Sequence, residues 1–527
     1  MGLINKALGV YKRYGFFGFI TKLNEKIQSP MRSYGKNVAA FLPTKAELEE
    51  QKTCHFLIEP CISIVVPAYE TKPEFLNQLI DSLEEQSYDN WELCIADAST
   101  SDVVEHVIKE RVEKYARTDK RYRIQYKRLA KNGGISENTN EGLKLVTGSY
   151  VGFMDHDDIL EKNALYEMVA CINHFPEADV LYSDEDKVSY DLKRHTQPHF
   201  KPDFNLELLR DNNYICHFLV ISKTLLEKVG GFRKEFDGSQ DYDFILRCVE
   251  QAKQIKHIPK ILYHWRMHAA STAGDSDSKT YTFDAGQRAL EEHFKRLGIR
   301  TEVEKRIEVG CFHVKYLAEK PYCEDEYLVL LPEGVVPCDE NWKKEFYSYC
   351  SQERVGIVAG KTFDKNGKVR QNGYVFDLEA NMRPAFCGLN KKYKGYCRRA
   401  VLAQEMGTVS FEFAMIKKEA YDKVGGFDTS LPHPYMELDF CLRLRKAGYA
   451  VIQTPYATAI VEKEPDFVKL GGKVTKNVKE EPVLLTENQA KEQIHSFLIN
   501  EGYAYDIAYN PNFSEEGATF QLKRERD

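Results

Sequence analysis

The chain has 527 residues, 43% hydrophobic and 12% aromatic, with a formal charge of -7 at pH 7, which describes a globular protein with room for two or three domains. That charge argues against a general nucleic-acid binder, because phosphate recognition draws on a basic surplus. Thirteen cysteines scattered from Cys54 to Cys441, with no CxxC pair, suggest neither a disulfide framework nor a structural zinc site and read as reduced, buried thiols.

No apolar run approaches the roughly 18 to 20 residues that span a bilayer, and the start has no small-residue cleavage site, so the expectation is a cytoplasmic protein. The first 32 residues are unusual. Leu3, Ile4, Leu8, Tyr11, Phe16, Phe19, Ile20 and Leu23 recur at broadly helical spacing, and Lys6, Lys12, Arg13, Lys22, Lys26 and Arg32 face a single acid, Glu25. Two readings fit: a peripheral helix on an anionic membrane, which would be the inner face of the plasma membrane, or a helix docked on its own protein.

Beyond a polar, Pro-punctuated linker, "CISIVVPAYE" predicts a buried strand, "EFLNQLIDSLEEQS" a helix and "WELCIADAST" a second strand ending in Asp97 and Ser99. A helix over "DVVEHVIKERVEKYAR", a strand "RIQYKRL", the loop "AKNGGISENTN", a helix to Val146 and a strand "YVGFM" follow. Apolar strands alternating with helices predict an α/β fold with a parallel, doubly covered sheet. Ligands gather outside the carboxyl ends of such strands, which places Tyr69, Asp97, Asn132 to Ser136 and Asp155 to Asp158 on one rim.

The last strand ends in "DHDD". Asp155 and Asp157, spaced i and i+2, can reach one hard cation and leave positions open for phosphate oxygens; the competing reading is that the acids cap the next helix, as Asp158 is expected to do. Gly133 and Gly134 permit positive φ, so the following helix can present its N-terminal amides to an anion, although Asn-Gly is first a turn signal. Asp97 can accept from a nucleobase N–H or a ribose hydroxyl, and Tyr69 offers a face for stacking. No GxGxxG follows the first strand, which favours a mononucleotide over a dinucleotide cofactor.

In "FDGSQDYDFILRC", Asp241 and Asp243 point apart; Asp241 is the candidate general base, against a plain N-cap. "YHWRMHAAST" offers Arg266 as a phosphate clamp and His264 or His268 as a further metal ligand, each histidine being otherwise a satisfied buried imidazole. An internal repeat then appears: "EKVGGFRKEFDGSQDYDFILRC" returns as "DKVGGFDTSLPHPYMELDFCLRL", and "YVGFMDHDDIL" as "YLVLLPEGVVP". Asp155, His156 and Asp157 become Pro332, Glu333 and Gly334, and the first two strands have no second copy, so the second unit reads as a half-domain unable to hold the same ligand. Glu437 aligns with Asp241 and reads as a helix cap in preference to an acceptor site.

Eight motifs in order, "SIVVPAYE", "WELCIADAST", "KNGGISENTNEGL", "GSYVGFMDHDDIL", "LYSDEDKV", "HFKPDFN", "FDGSQDYDFILR" and "YHWRMHAAST", resemble family 2 glycosyltransferases of the GT-A fold over Cys61 to Ala273, about half the chain. The remainder resembles the tail half of a second transferase domain, as in tandem enzymes of bacterial surface-polysaccharide assembly. The resemblance implies a nucleotide-sugar donor set of Pro67, Tyr69, Glu70, Asp97, Asn132, Gly134, Asp155, His156 and Arg266, with Pro67, Tyr69 and Asp97 at the base and Asp155 at the ribose. It further implies Mg2+ or Mn2+ on Asp157 with His264 or His268, and Asp241 as the base of an inverting transfer to a saccharide, a lipid-linked one by expectation. Ala96 stands where the family usually has a second acid beside Asp97.

The expected layout is an arm and linker at 1–58, a catalytic domain at 59–275, a connecting helix at 276–310, a half-domain at 311–500 and a tail at 501–527. The half-domain is expected to extend the groove for a growing glycan or to dock a partner transferase. UDP- or dTDP-sugars suit the lone Asp97. Two rival readings remain: a non-catalytic nucleotide-sugar-binding scaffold, which the intact acids of the first unit oppose, and a nucleotidyl or phosphoryl transferase, for which a P-loop is missing.

Overall fold

The structure is a computed structural model and describes residues 34–116, 123–268, 280–466, 484–514 and 520–523; the basic stretch 1–32 lies outside them. It divides into two compact units, one of residues 34–204 and 212–312, the other of residues 205–211 with the described residues between 313 and 524. Among the described residues, no helix is long and apolar enough to cross a membrane.

In the first unit, β1 (Ile62–Ala68) is buried at every position because its β-branched run is covered on both faces. α1 (Pro73–Glu84) starts on the Pro that suits a first turn and turns Phe75, Leu76, Leu79, Ile80 and Leu83 inward. β2 (Trp91–Asp97), α2 (Val103–Tyr115), β3 (Arg123–Arg128), α3 (Ile135–Leu143) and β4 (Tyr150–Phe153) follow. β3, β2, β1 and β4 are parallel neighbours, as the alternating pattern predicts.

Beyond β4 the sheet is mixed. β5 (Ile159–Leu160), α4 (Ala164–His174), β6 (Ala178–Ser189), β7 (His195–His199), β8 (Leu219–Ser222), α5 (Gln240–Gln251), β9 (Gln254–Met267) and α6 (Thr280–Leu297) are the main elements that follow in this unit, with strand order β3-β2-β1-β4-β8-β6-β9-β5. β8 runs antiparallel between β4 and β6, so the parallel reading holds for the first half of the sheet. The core sits on Ile64, Val66, Leu93, Ile95, Leu79, Met168 and Phe218, each worth about 1.5–3 kcal/mol of burial.

The second unit holds β10 (Tyr327–Leu330), β11 (Val335–Pro337), α7 (Trp342–Cys350), β12 (Val355–Phe363), β13 (Ala414–Lys417), α8 (Tyr435–Lys446) and β14 (Ala450–Val461). Its sheet runs β10-β13-β12-β14-β11, the order of β4-β8-β6-β9-β5. The copies even share an irregularity: the parallel partner gains residues between Ser183 and Asp184 on β6 and between Gly360 and Lys361 on β12. The repeat is therefore a repeat of topology, and among the described residues β1 to β3 have no counterpart in the second copy's sheet. All thirteen cysteines are free. Five are buried and five exposed, so the expectation of buried thiols holds only in part.

Candidate active site

The acidic loop leaves β4 at the sheet edge where β1 and β2 also end. Carboxylate oxygens of Asp155, Asp157 and Asp158 lie within 4.8 Å of one another, but their surroundings differ. Asp158 is fully buried and accepts from the Tyr263 hydroxyl at 2.6 Å and the Arg266 backbone N–H at 2.7 Å. Burial, then the charges of Asp157 and Asp155, push its carboxyl well above the usual range. It braces the loop against β9 and does not cap α4, whose N-cap position is Asn163. Asp155 and Asp157 stay partly accessible. Antiparallel pairing of β5 with β9, Ile159 opposite His264, carries the end of β9 alongside the loop, and His268 Nε2 meets Asp157 Oδ2 at 2.6 Å. His156 Nδ1 lies 2.9 Å from Thr71 Oγ1.

The structure separates the two candidate histidines. His264 Nδ1 contacts Asp186 Oδ1 at 2.6 Å and Nε2 contacts Glu161 Oε2 at 3.2 Å. Against burial, Asp186 and Glu161 raise its pKa to about 10. With both nitrogens engaged, it has no lone pair for a cation at Asp157. Asp186 also accepts from the Tyr34 hydroxyl and meets His195 Nδ1, both at 2.7 Å. The second His/Asp group of the unit is thus closed upon itself by hydrogen bonds.

Asp241 stands in the first turn of α5, half-buried, and accepts from Asn213 Nδ2 at 3.0 Å. Burial lifts its carboxyl above the ordinary aspartate range, against the opposing pull of His217. Asp243, two residues on, is buried and held by Arg233 Nε at 3.1 Å and Arg247 Nε at 3.0 Å, so the two acids do point to different duties, although Asp243 makes ion pairs and no cap.

His217 and Asn213 were not singled out from the sequence. Gly152 pairs with Val220 in the antiparallel β4–β8 ladder, and extending that register sets His217 opposite Asp155; their facing atoms are 4.0 Å apart. His217 stacks on Tyr263 with centroids 4.8 Å apart. Despite burial, Asp155, Glu185, Asp158 and Asp241 raise its pKa. Only a strand register shows this, and "NNYICHFLV" carries no signal of it.

On the nucleotide side of the rim, Pro67 lies in β1 opposite Ala96 and Tyr69 is 47% exposed. Asp97 is buried, accepting from Ser99 N–H at 2.9 Å and the Tyr126 hydroxyl at 2.8 Å. Glu70 is spent within the protein: it accepts from Thr100 N–H and Oγ1, both at 2.7 Å, and Ser101 Oγ at 2.6 Å. The Ser101 and Thr100 hydrogen bonds hold its carboxyl down at about 2, tying the loop after β1 to the loop after β2. Asn132 Oδ1 accepts from Gly134 N–H and Asn138 Nδ2, both at 2.9 Å. Gly134 has φ 96°, as its turn requires.

Two expectations change here. The anion met by the N-terminus of α3 is one of the protein's own: Asp237 Oδ1 accepts from Ser136 N–H at 3.3 Å and Ser136 Oγ at 2.5 Å. Arg266 is buried behind the loop, donating from Nε to Asp157 O at 2.5 Å and from Nη1 to Tyr190 O at 2.9 Å. Its Nη2 is buried without a hydrogen-bond partner.

In the second unit the corresponding loop carries Glu333, 88% exposed, and the acids Asp184, Glu185 and Asp186 of β6 have Lys361, Thr362 and Phe363 at the same offset that relates Tyr150 to Tyr327. Glu437 is buried and accepts from Phe411 N–H at 2.5 Å, bracing a turn where a helix cap was expected. Among the described residues, neither group of potential metal ligands lies in this unit.

Residues 63–230 match the profile described as glycosyl transferase family 2. This segment belongs to that family. Apart from residues 205–211, the family 2 segment lies in the unit that carries the acidic loop, and the α/β architecture is the GT-A type expected of it. The uncharacterized protein y4gI of Sinorhizobium fredii is 31% identical over 84% of this chain and 56% of its own. O-antigen biosynthesis protein RfbC of Myxococcus xanthus is 35% identical over 50% of this chain and 20% of its own, and a chondroitin synthase of Pasteurella multocida 28% over 41% and 21%. The chain therefore spans between 20% and 56% of the length of these relatives. Among solved structures, S. aureus TarS in complex with UDP-GlcNAc is 22% identical over 44% of this chain and 66% of its own, with TM-score 0.36. The mannosyltransferase PcManGT from Pyrobaculum calidifontis, in complex with GDP-Man and Mn2+, is 15% identical over 52% and 74%, with TM-score 0.34.

Proposed function

We propose that this chain is an inverting glycosyltransferase of cell-surface polysaccharide assembly, moving a sugar from a UDP- or dTDP-sugar to a hydroxyl of a lipid-linked saccharide. The observation that carries this reading is the approach of the acidic loop to His217 through Asp155, with the charge of Asp241 acting on the same imidazole, within the unit that contains most of the family 2 segment. Relatives that build O-antigen and chondroitin support the polysaccharide setting.

The donor set fits a hard divalent cation such as Mg2+ or Mn2+. Three crowded carboxylates lie together, and the charges of Asp155 and Asp157 help to hold buried Asp158 above its normal range. Asp155, Asp157 and His268 would hold the ion, which when bound supplies neutralising charge beside a departing diphosphate. Tyr69 offers its exposed ring to the base, and Asp97 offers the lone pairs that Ser99 and Tyr126 leave free. Asp241 accepts the proton of the attacking hydroxyl, a contribution of about 10²- to 10⁴-fold. Attack opposite the leaving group inverts the anomeric carbon.

Two variants test the assignment. Asp241→Asn is expected to abolish transfer while thermal-shift stabilisation by a UDP- or dTDP-sugar with Mn2+ persists; Asp157→Ala is expected to lose that Mn2+-dependent stabilisation. Near-normal transfer by Asp241→Asn, or donor binding indifferent to both Mn2+ and Asp157, would sink the reading.

A further inference from the structure

Asn213 lies just before the β8 strand and donates from Nδ2 to Asp241 Oδ2 at 3.0 Å. This contact fixes the orientation of its amide, because the flipped form would set oxygen against carboxylate. The carbonyl end is then left over. Asn213 Oδ1 is buried with no partner, an arrangement that native proteins seldom tolerate without a functional reason. The charges of His217 and Asp155 also act on the Asp241 carboxyl. A side chain thus holds the base with one end and presents a dry acceptor with the other.

We propose that Asn213 is the positioning residue of the transfer, its amide N–H fixing the Asp241 carboxylate and its carbonyl oxygen receiving a hydroxyl hydrogen of the incoming acceptor. With Oδ2 occupied by Asn213, the other carboxylate oxygen of Asp241 is the one that takes the proton of the attacking hydroxyl. Asn213 Oδ1 then orients the acceptor by a second O–H, which a saccharide diol or a water molecule can both supply. A base held in one rotamer and a nucleophile held against it amount to a near-attack arrangement, where a displacement of about 1 Å can cost about 10²-fold.

This inference rests on the transferase reading, and its test keeps the two apart. Donor cleavage with water as acceptor is followed by nucleotide release from the UDP-, dTDP- or GDP-sugar that the wild-type chain cleaves fastest with Mn2+. Asn213→Ala is expected to lower kcat by about 10- to 100-fold at an unchanged donor KM, and Asn213→Gln, which keeps the amide at another reach, to recover part of the loss. In the Asp241→Asn background, Asn213→Ala is expected to change the residual rate less than two-fold, since it acts through the base. Wild-type kcat in Asn213→Ala and Asn213→Ser, or equal losses with and without Asp241, would overturn the proposal while leaving the transferase reading intact. Failure of the wild type to cleave any donor would instead remove the reading beneath it.

Discussion

His264 shows how burial decides between duties that residue type leaves open. A histidine four residues from His268 on one strand end is an equal candidate for metal in the sequence, yet it is clasped by Asp186 and Glu161, and its folded-state pKa is about 10 against about 6.5 for a free imidazole. A raised pKa means the folded form binds the proton more tightly. The stabilisation is therefore full below about pH 6.5 and is lost as pH rises toward 10. Chemical denaturation between pH 6.5 and 10 should show wild-type stability falling with pH and His264→Gln following a flatter line; parallel lines would mean His264 is neutral in the fold. Asp157 and Asp241 were legible because carboxylates after an apolar strand, or before an amphipathic helix, stand out in one dimension. Asn213 and His217 were not, since their contacts with Asp241 and Asp155 depend on which strand pairs with which.

At the level of elements, α3 carries the clearest departure from expectation. Gly133 and Gly134 announced a turn and a helix start correctly, but the acid that satisfies Ser136 comes from Asp237, far along the chain, and no local pattern points to it. A carboxylate on a helix N-terminus is worth about 1 kcal/mol, so Asp237→Ala should lower unfolding free energy by about that amount. Nucleotide-sugar affinity should not move in the variant; a gain in affinity would show that Asp237 blocks an anion site which the helix otherwise offers. The repeat was legible from "VGGF" and "DF" landmarks. The structure adds that strand order and the β6/β12 irregularity are repeated as well, features that identity of residues cannot carry, since Asp184 and Lys361 have opposite charge at that position.

On the scale of the whole molecule, the segment 205–211 is the unexpected feature: it falls inside the stretch read as one catalytic domain but belongs to the second compact unit. The short helix Leu206–Asp211 buries Leu208 and Leu209. Glu207 accepts from the Tyr316 hydroxyl at 2.6 Å and Arg354 Nη1 at 2.9 Å, and Asp211 from Ala403 N–H at 2.7 Å. Leu209→Ala should cost about 2–5 kcal/mol, and that loss should appear in the second unit. Limited proteolysis is expected to quicken within 313–524 while 34–204 keeps its protection; the reverse pattern would refute the membership. The sequence concealed this because six helical residues between two motif-rich stretches look like any connection.

That membership also sets an order of events during synthesis. Residues 205–211 leave the ribosome about 100 residues before the first of their later companions, His313, and at about 5–20 residues per second that is a wait of roughly 5 to 20 seconds. Throughout it the helix that carries Leu208 and Leu209 waits for the unit in which it is buried. Splitting the gene at the boundary between the units would make that wait permanent.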